Sequence, residues 1–304
     1  MKRKAGADSV RPGPARHTKT TLFAYSMLAP DIIGLALFIF LPIVMAFYVS
    51  LHSWDALSPM RFVGLKNYIT LISDSDWWRS LRITLTYTLM YVVMIFWLSL
   101  LLAVFLNSLK RGQELFRTLY FIPFSISTVV AGMMWLFLLN DKTGYINAAF
   151  RVAGMPALKF LASTREALPS IAFMTVWMNV GYYSIIFLAA IKDIPSSYYE
   201  AAKLDGAGPL AIFVHITFPL LKDISAFVLV ITTIASFQVF DQIKIMTNGG
   251  PASSTSVTVF YIFRQSFEFM KLGYASALAF ALFIVIFAVS LLQLKFTRTS
   301  REPD

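Results

Sequence analysis

The 304-residue chain is 58% hydrophobic and only 14% charged, carries a formal net charge of +10, and contains no cysteine. This is not the composition of a soluble globular protein, and the lack of cysteine excludes disulfides, thiolate metal sites and a cysteine nucleophile. Six apolar segments, each about 20 residues long as a membrane span requires, instead predict an all-α polytopic membrane protein. The predicted spans are 30–50, 83–106, 119–139, 171–191, 224–246 and 275–294.

The chain begins with a basic segment, residues 1–29, that leads into the first span. The basic residues and prolines of the first 21 residues favour a disordered tail, and the apolar run behind them is too long for a cleaved secretory signal. The positive charge is then explained by basic residues flanking membrane spans, and nucleic-acid binding is set aside. A cytoplasmic N-terminus and six spans place both termini inside. The six-span membrane domain would cover 30–294, followed by a cytoplasmic tail at 295–304.

Two residues suggest how the first span starts. Pro30 lacks a backbone N–H and Asp31 is an anion, and both suit the first turn of a helix. We therefore expect the helix to begin near Pro30, with Asp31 as a helix-end residue. Pro42 is expected to kink the span.

Polar and aromatic side chains interrupt the fourth and fifth spans. Polar groups at membrane depth cost several kcal/mol unless they find partners or water, so they should face the interior of the bundle. Thr232 and Ser236 lie one helical turn apart and share a face, whereas Gln238 is expected to point elsewhere. Such groups could line a pocket or hold helices together, and spacing alone leaves both interpretations open. The candidate residues are Trp177, Asn179, Tyr182, Thr232 and Ser236.

The longest polar interruption that still looks ordered is 195–219, which we call the elbow. Ser197 and Glu200 have the spacing of a capping box, which predicts a helix of about two turns. Gly206 can end that helix in a left-handed conformation, and Pro209 suits the first turn of a second helix. Pro219 is expected to close the second helix. The elbow is therefore predicted to be a cytoplasmic helix–turn–helix.

The same residues carry a family resemblance. Glu200-Ala201-Ala202, then Gly206, then Ile216 and Phe218-Pro219 resemble the EAA loop of ABC importer permeases, in which Leu usually stands at the position of Phe218. Three further stretches resemble carbohydrate-importer permeases: F-V-G-L-K-N-Y at 62–68, F-R-T-L-Y-F-I-P at 116–123 and T-N-G-G-P at 247–251.

The resemblance implies a bacterial plasma-membrane permease subunit for a sugar delivered by an extracytoplasmic solute-binding protein. It also implies a second homologous permease and two ATP-binding subunits as partners. Trp177 to Tyr182 and one face of the next span would line the sugar path. The residues expected to couple to an ATP-binding subunit are Glu200, Ala201, Ala202, Gly206, Ile216 and Pro219.

Several classes of chemistry are not predicted for this chain. No G-x-x-x-x-G-K-[ST] phosphate loop occurs, so ATP hydrolysis is expected on a separate subunit and the chain is not expected to be an enzyme. His17, His52 and His215 lie far apart in the sequence, so neither a metal site nor a cofactor is expected. The alternatives are an importer of another solute, such as glycerol phosphate or peptide, or a channel or scaffold. Low charge in the spans favours a neutral polyol over an anion.

Overall fold

The computed structural model describes residues 14–109 and 111–299, so residues 1–13 of the expected N-terminal tail, Lys110 and the last five residues lie outside the described residues. The chain is mainly helical, with one two-stranded antiparallel sheet. The first half contains α1 (Pro14–Leu35), α2 (Leu41–Ser50), β1 (His52–Ser53), β2 (Arg61–Phe62), α3 (Lys66–Ser73), α4 (Ser75–Ser108), α5 (Gln113–Ser125), α6 (Thr128–Leu138) and α7 (Tyr145–Val152). The second half contains α8 (Ala167–Lys192), α9 (Ser196–Leu204), α10 (Pro209–Ile212), α11 (Phe218–Leu220), α12 (Lys222–Phe237), α13 (Asp241–Met246), α14 (Thr258–Phe263) and α15 (Leu272–Thr299).

Four continuous helical segments in the described residues are long and apolar enough to cross a membrane. They are Tyr25–Ser50, Ser75–Ser108, Ala167–Lys192 and Leu272–Lys295. The predicted first, second, fourth and sixth spans fall on these segments. The multi-pass membrane character of the chain is therefore confirmed, because each segment can cover the hydrocarbon core of a bilayer.

The predicted third and fifth spans are not straight helices. α5 and α6 together have the length and apolar character of a span, but they meet at an angle of 96°. The chain is extended at Ile126 and Ser127, just after Pro123, which cannot donate a helical hydrogen bond. The segment 209–220 and α12 meet at 68°. α12 also ends at Phe237, so the prediction of one helix over 224–246 was wrong.

The expected helix start at Pro30 was also wrong. α1 begins at Pro14 and Pro30 lies inside it, so Asp31 is not at a helix end. The backbone of 14–21 is helical where a disordered tail was predicted. Helix propensity in 15–29, with alanines, leucine and methionine, outweighs the local effect of Pro30.

Two prolines in the apolar helices, Pro42 and Pro219, are each preceded by a widened turn. Residues Ala36–Phe40, just before Pro42, form a π-helical turn that continues α1 into α2 without a break. Residues Phe213–Thr217, just before Pro219, form a second π turn between α10 and α11. A π turn shifts the hydrogen bonds to i→i+5, so the chain continues past a residue that has no N–H.

α4 and α8 pack along each other at the centre of the bundle. Side chains that are completely buried fill their contact, including Ile95 and Leu100 from α4 and Ile171, Met174 and Phe187 from α8. α12 lies against α4, and α5 lies against α8. The buried faces of these helices form one hydrophobic core.

Gly181 sets the distance between α8 and α5. A Cβ atom at this position would lie only 1.9 Å from the carbonyl oxygen of Tyr120. Because the clash is with backbone, a side chain could be accommodated only by moving one helix away from the other. Small residues at helix contacts are the usual means of close backbone approach in membranes.

We predict that Gly181→Ala destabilises the protein. Overpacking a tight contact costs about 1–3 kcal/mol, which corresponds to a drop of several degrees in apparent Tm. The matched control is Gly34→Ala, since no atom lies within 4 Å of a Cβ added at Gly34. Thermal unfolding of both purified variants measures the effect, and equal Tm values would contradict the close approach.

Candidate functional site

A cavity of about 280 Å³ lies among α4, α8 and the end of α12, and we call it the central cavity. Its walls combine aromatic rings with hydroxyl and amide groups. Six of the lining residues with polar side chains come from α4, α8 and the end of α12: Tyr87, Tyr91, Thr175, Asn179, Ser236 and Gln238.

Helical spacing brings the lining residues of α4 and α8 together. Tyr87 and Tyr91 are one turn apart on α4, and their rings stack with centroids 5.9 Å apart. Thr175 and Asn179 are likewise one turn apart on α8. The Tyr87 hydroxyl donates to Thr175 Oγ1 at 3.0 Å, which ties the two helices together beside the cavity. Asn179 Nδ2 donates to the Thr175 carbonyl oxygen at 2.9 Å.

Breaks in two helices complete the lining. Thr128 is the first residue of α6, directly after the bend that follows α5, and it lines the cavity. Gln238 to Gln242 lie at the break between α12 and α13 and line it as well. Backbone groups freed at a helix break need partners or water, and a polar cavity can supply water. The central cavity therefore lies where the bundle departs from continuous helix.

Charge in the central cavity is low and negative. Asp241, the first residue of α13, is the only lining residue with a formal charge among those that the structure describes. Lys244, one turn later, is held outside the cavity lining by the ring of Phe263, 4.8 Å from its Nζ, and by Glu268 at 3.8 Å. An anionic ligand would find no cation in the described lining.

Of the five candidate path residues, the structure brings only Asn179 and Ser236 into the central cavity. Trp177 packs instead against Trp135, with centroids 5.5 Å apart, and Tyr182 stacks on Phe124 at 4.4 Å. Thr232 is completely buried and donates to the Val228 carbonyl oxygen at 2.6 Å. These three side chains serve helix packing in this structure.

The expectation that Gln238 points away from Ser236 was wrong. It assumed a continuous helix, but α12 ends at Phe237, and Gln238 lines the same cavity as Ser236. Helical periodicity does not apply beyond the end of a helix. The sequence analysis also missed Tyr87, Tyr91 and Thr175. The signal that could have found them is the pair of tyrosines at i and i+4 in an otherwise apolar span.

The elbow has the predicted helix–turn–helix form. α9 covers Ser196–Leu204, and Gly206 follows with φ +79°. The Gly206 N–H donates to the Lys203 carbonyl at 3.1 Å, and the Ala207 N–H donates to the Ala202 carbonyl at 2.9 Å. These two bonds form a Schellman motif, which requires the left-handed conformation that glycine adopts without steric cost.

Two details of the elbow differ from the prediction. α9 has no side-chain cap, and both Ser197 and Glu200 are exposed, so the capping box is not formed. Pro195 precedes the first turn and fixes the backbone there, so the helix starts without a side-chain cap. The second helix continues through Pro219 and ends at Leu220, because the π turn before Pro219 accommodates the missing N–H.

The tip of the elbow exposes apolar side chains. Leu204 is 89% exposed and Leu210 is 76% exposed, on either side of the Gly206 turn. Glu200, Ala201 and Pro219 are exposed, while Ala202 and Ile216 are half-buried. Two leucines this exposed at one turn favour a contact with another molecule. The sequence signal that could have found them is the placement of Leu204 and Leu210 on either side of the D-G-A-G-P turn at 205–209.

Behind the elbow, a cavity of about 620 Å³ separates it from the end of α4. Asn107 and Ser108 lie on one side, and Tyr199, Lys203 and Phe213 lie on the other. The Tyr199 hydroxyl lies 3.4 Å from Thr217 Oγ1, which links α9 to the second helix of the elbow. The elbow also contacts α4 directly, since the rings of Trp97 and Phe218 stack with centroids 5.9 Å apart.

Comparison with known proteins gives consistent results. The family model "Binding-protein-dependent transport system inner membrane component" matches residues 95–301. The sn-glycerol-3-phosphate transport system permease protein UgpA of Agrobacterium fabrum is 32% identical, over 90% of this chain and 94% of that protein. The trehalose/maltose transport system permease protein MalF of Thermococcus litoralis is 29% identical, over 91% and 94%.

A solved structure has the same fold. It is that of a bacterial ABC transporter involved in the import of the acidic polysaccharide alginate. The TM-score is 0.83 at 24% identity, and the match covers 94% of this chain and 99% of that chain. The likeness extends over nearly the whole of both chains.

Proposed function

The chain belongs to the family of binding-protein-dependent transport system inner membrane components, the permeases of ABC importers, and we propose that the solute it carries is a sugar. The central cavity would be part of the sugar's path across the membrane. The observation that carries this proposal is the lining of that cavity, with tyrosine rings, hydroxyls and amides in an apolar bundle. A sugar has hydroxyl groups for the polar atoms and C–H faces for the rings.

A phosphorylated solute is the competing substrate, because one relative is a glycerol-3-phosphate permease. Sites for phosphate usually contain Arg or Lys, whose N–H groups bind the phosphate oxygens. The described lining of the central cavity contains Asp241 and no basic residue. A neutral sugar fits this lining, whereas a phosphate would face a carboxylate.

The sugar path can be tested at Asn179. We predict that Asn179→Leu lowers uptake about tenfold or more, since a lost hydrogen bond and a desolvated hydroxyl together cost about 1–3 kcal/mol. The measurement is uptake by proteoliposomes that contain the whole transporter, with the sugar found by screening its solute-binding protein. Thr232→Val is the matched control, because Thr232 lies in the same bundle but outside the cavity. Equal uptake by both variants would remove Asn179 from the path.

We propose that the elbow docks on an ATP-binding subunit, one of two that would hydrolyse ATP for this transporter. Leu204 and Leu210 would enter an apolar groove, and the exposed Glu200 would face a basic group there. Ala201 and Ala202 leave room for close approach, and Ile216 and Pro219 shape the second helix. A second homologous permease would complete the path, and a solute-binding protein would deliver the sugar from outside.

The Gly206 turn offers a sharp test of docking. We predict that Gly206→Ala weakens co-purification of the ATP-binding subunits, because a left-handed alanine costs about 1–2 kcal/mol and misplaces the tip. Gly208→Ala is the matched control, since Gly208 has φ −74° and open space around it. Membrane insertion should be unchanged in both variants. If both variants retained the subunits equally, the elbow would be a simple connector.

We propose six spans, counting each bent pair as one, with both termini and the elbow in the cytoplasm. The support is the basic N-terminal tail and the helix lengths. Residues 1–29 and 295–304 would then be cytoplasmic tails around the membrane domain, 30–294.

The orientation can be measured in this cysteine-free chain by adding single cysteines. Ser73 and Ser108 are both exposed, near opposite ends of the bundle. We predict that Ser73→Cys reacts with a membrane-impermeant maleimide in intact cells and that Ser108→Cys reacts only after permeabilisation. The cysteine-free parent is the control. The opposite pattern would invert the orientation and place the elbow outside.

A further inference from the structure

A second polar cavity, of about 470 Å³, lies at the end of the bundle remote from the elbow. It is bounded by the turn after β1, by α3, and by the segment from α14 to the start of α15, and we call it the hairpin cavity. Its volume falls in the range of about 300–1,000 Å³ that is usual for small-molecule sites. None of its lining residues belongs to the central cavity.

One wall of the hairpin cavity is rigid. Asp74 Oδ2 accepts hydrogen bonds from the hydroxyls of Tyr261, at 2.7 Å, and Tyr274. Asp74 Oδ1 accepts the backbone N–H groups of Asp76 and Trp77 at 2.9 and 3.2 Å. Burial raises the pKa of Asp74, but these hydrogen bonds outweigh burial and hold the pKa below its ordinary value. Asp74 is thus a fully bonded carboxylate that fixes the two tyrosine rings.

A buried polar atom in this wall has no partner. Gln265 is 7% exposed and lines the cavity, and its Nε2 donates to the Tyr261 hydroxyl at 2.8 Å. Its Oε1 has no hydrogen-bond partner. Leaving a buried acceptor unpaired costs about 1–3 kcal/mol. Oε1 itself is almost completely buried, so a rotation of the Gln265 amide into the cavity would let a ligand hydroxyl donate to Oε1 and recover this cost.

The opposite wall offers charged and aromatic groups. Asp55 Oδ1 accepts hydrogen bonds from the backbone N–H groups of Leu57 and Ser58 and from the Ser58 hydroxyl. Hydrogen bonds from Ser58 and Leu57 lower the pKa of Asp55 to about 2, so it is anionic at neutral pH. Lys271 and Trp54 add an ammonium and an indole N–H, and the indole ring adds an apolar face.

These groups together select for a neutral ligand. A cation would meet Lys271, and an anion would meet Asp55 and Asp74. A hydroxyl group can donate to Gln265 Oε1 or Asp55 and accept from Lys271 or Trp54. Aromatic rings beside such groups suit the C–H face of a polyhydroxylated ring. The lining is therefore matched to a molecule with several hydroxyls and no net charge.

We propose that the hairpin cavity is a second sugar-binding site, separate from the central cavity and on the outer side of the membrane. Trp54 provides the ring face, and Asp55, Gln265 and Lys271 bind hydroxyls. The outer position rests on the proposed orientation, whereas the binding does not. A site there would hold a sugar near the entrance to the transporter before it enters the path.

The test is calorimetric titration of maltose, as a neutral probe, into the full chain in lipid nanodiscs. All variants carry Asn179→Leu to weaken any binding in the central cavity. We expect Trp54→Leu, Asp55→Asn and Gln265→Met each to raise the Kd about tenfold, the effect of one lost ring face or hydrogen bond. Trp78→Leu is the matched control, because Trp78 is an exposed tryptophan near this end of the chain that does not line the cavity. Glycerol 3-phosphate and arginine, as charged probes, should bind at least about tenfold more weakly than maltose.

Each result supports or overturns the proposal. The expected pattern of Kd values, with Trp78→Leu unchanged, supports it. It is overturned if maltose does not bind, if all variants bind it equally, or if a charged probe binds more tightly. Asp55→Asn changes a surface turn and keeps the proposal falsifiable if Gln265→Met does not fold. If the transporter takes up sugar normally but maltose does not bind in the hairpin cavity, only the second site is refuted. If maltose binds in the hairpin cavity but the transporter takes up no sugar, only the proposed path through the central cavity is refuted.

Discussion

The structure depends on one constraint: in hydrocarbon every backbone N–H and C=O must be paired within the protein or with water. Continuous helices satisfy this constraint over four segments. The departures from straight helix occur in two forms. The π turns before Pro42 and Pro219 keep the chain bonded, while the breaks after α5 and α12 open onto the central cavity. The same constraint that forms the bundle therefore also determines where a polar cavity can lie.

The polar groups inside the bundle are arranged in bonded sets. Tyr87 bonds to Thr175 across the contact of α4 and α8, and Thr84 lies 2.9 Å from Thr258 across the contact of α4 and α14. Asp74 binds two tyrosines at the end of the bundle. Paired groups of this kind cost little and fix helix positions. Gln265 Oε1 is one of several buried polar atoms without a hydrogen-bond partner, among them Trp135 Nε1 and Ser225 Oγ, and Gln265 lines the hairpin cavity.

The two ends of the helical bundle differ in construction. The elbow presents exposed leucines at a turn that only glycine can make easily, with a cavity behind it that leaves room for movement. The hairpin end is instead fixed by hydrogen bonds to Asp74 and by Gly273, where a Cβ would lie 2.0 Å from the His52 carbonyl oxygen. An exposed apolar tip suits contact with a partner, whereas a hydrogen-bonded wall suits a small ligand, and each end of the bundle has one of these features.

Composition and local motifs were enough to predict a multi-pass helical permease. The length of an apolar segment and the backbone preferences of glycine and proline depend only on residues that are neighbours in the sequence. The Gly206 turn followed from Gly206 itself, since only local backbone energy decides it. The central cavity did not follow. Its lining combines Tyr87 from one helix, Asn179 from another, and Gln238 from beyond a helix end. Which side chains meet there depends on where α12 stops and how closely Gly181 lets α8 approach α5, and both are set by long-range packing that a local sequence pattern does not contain.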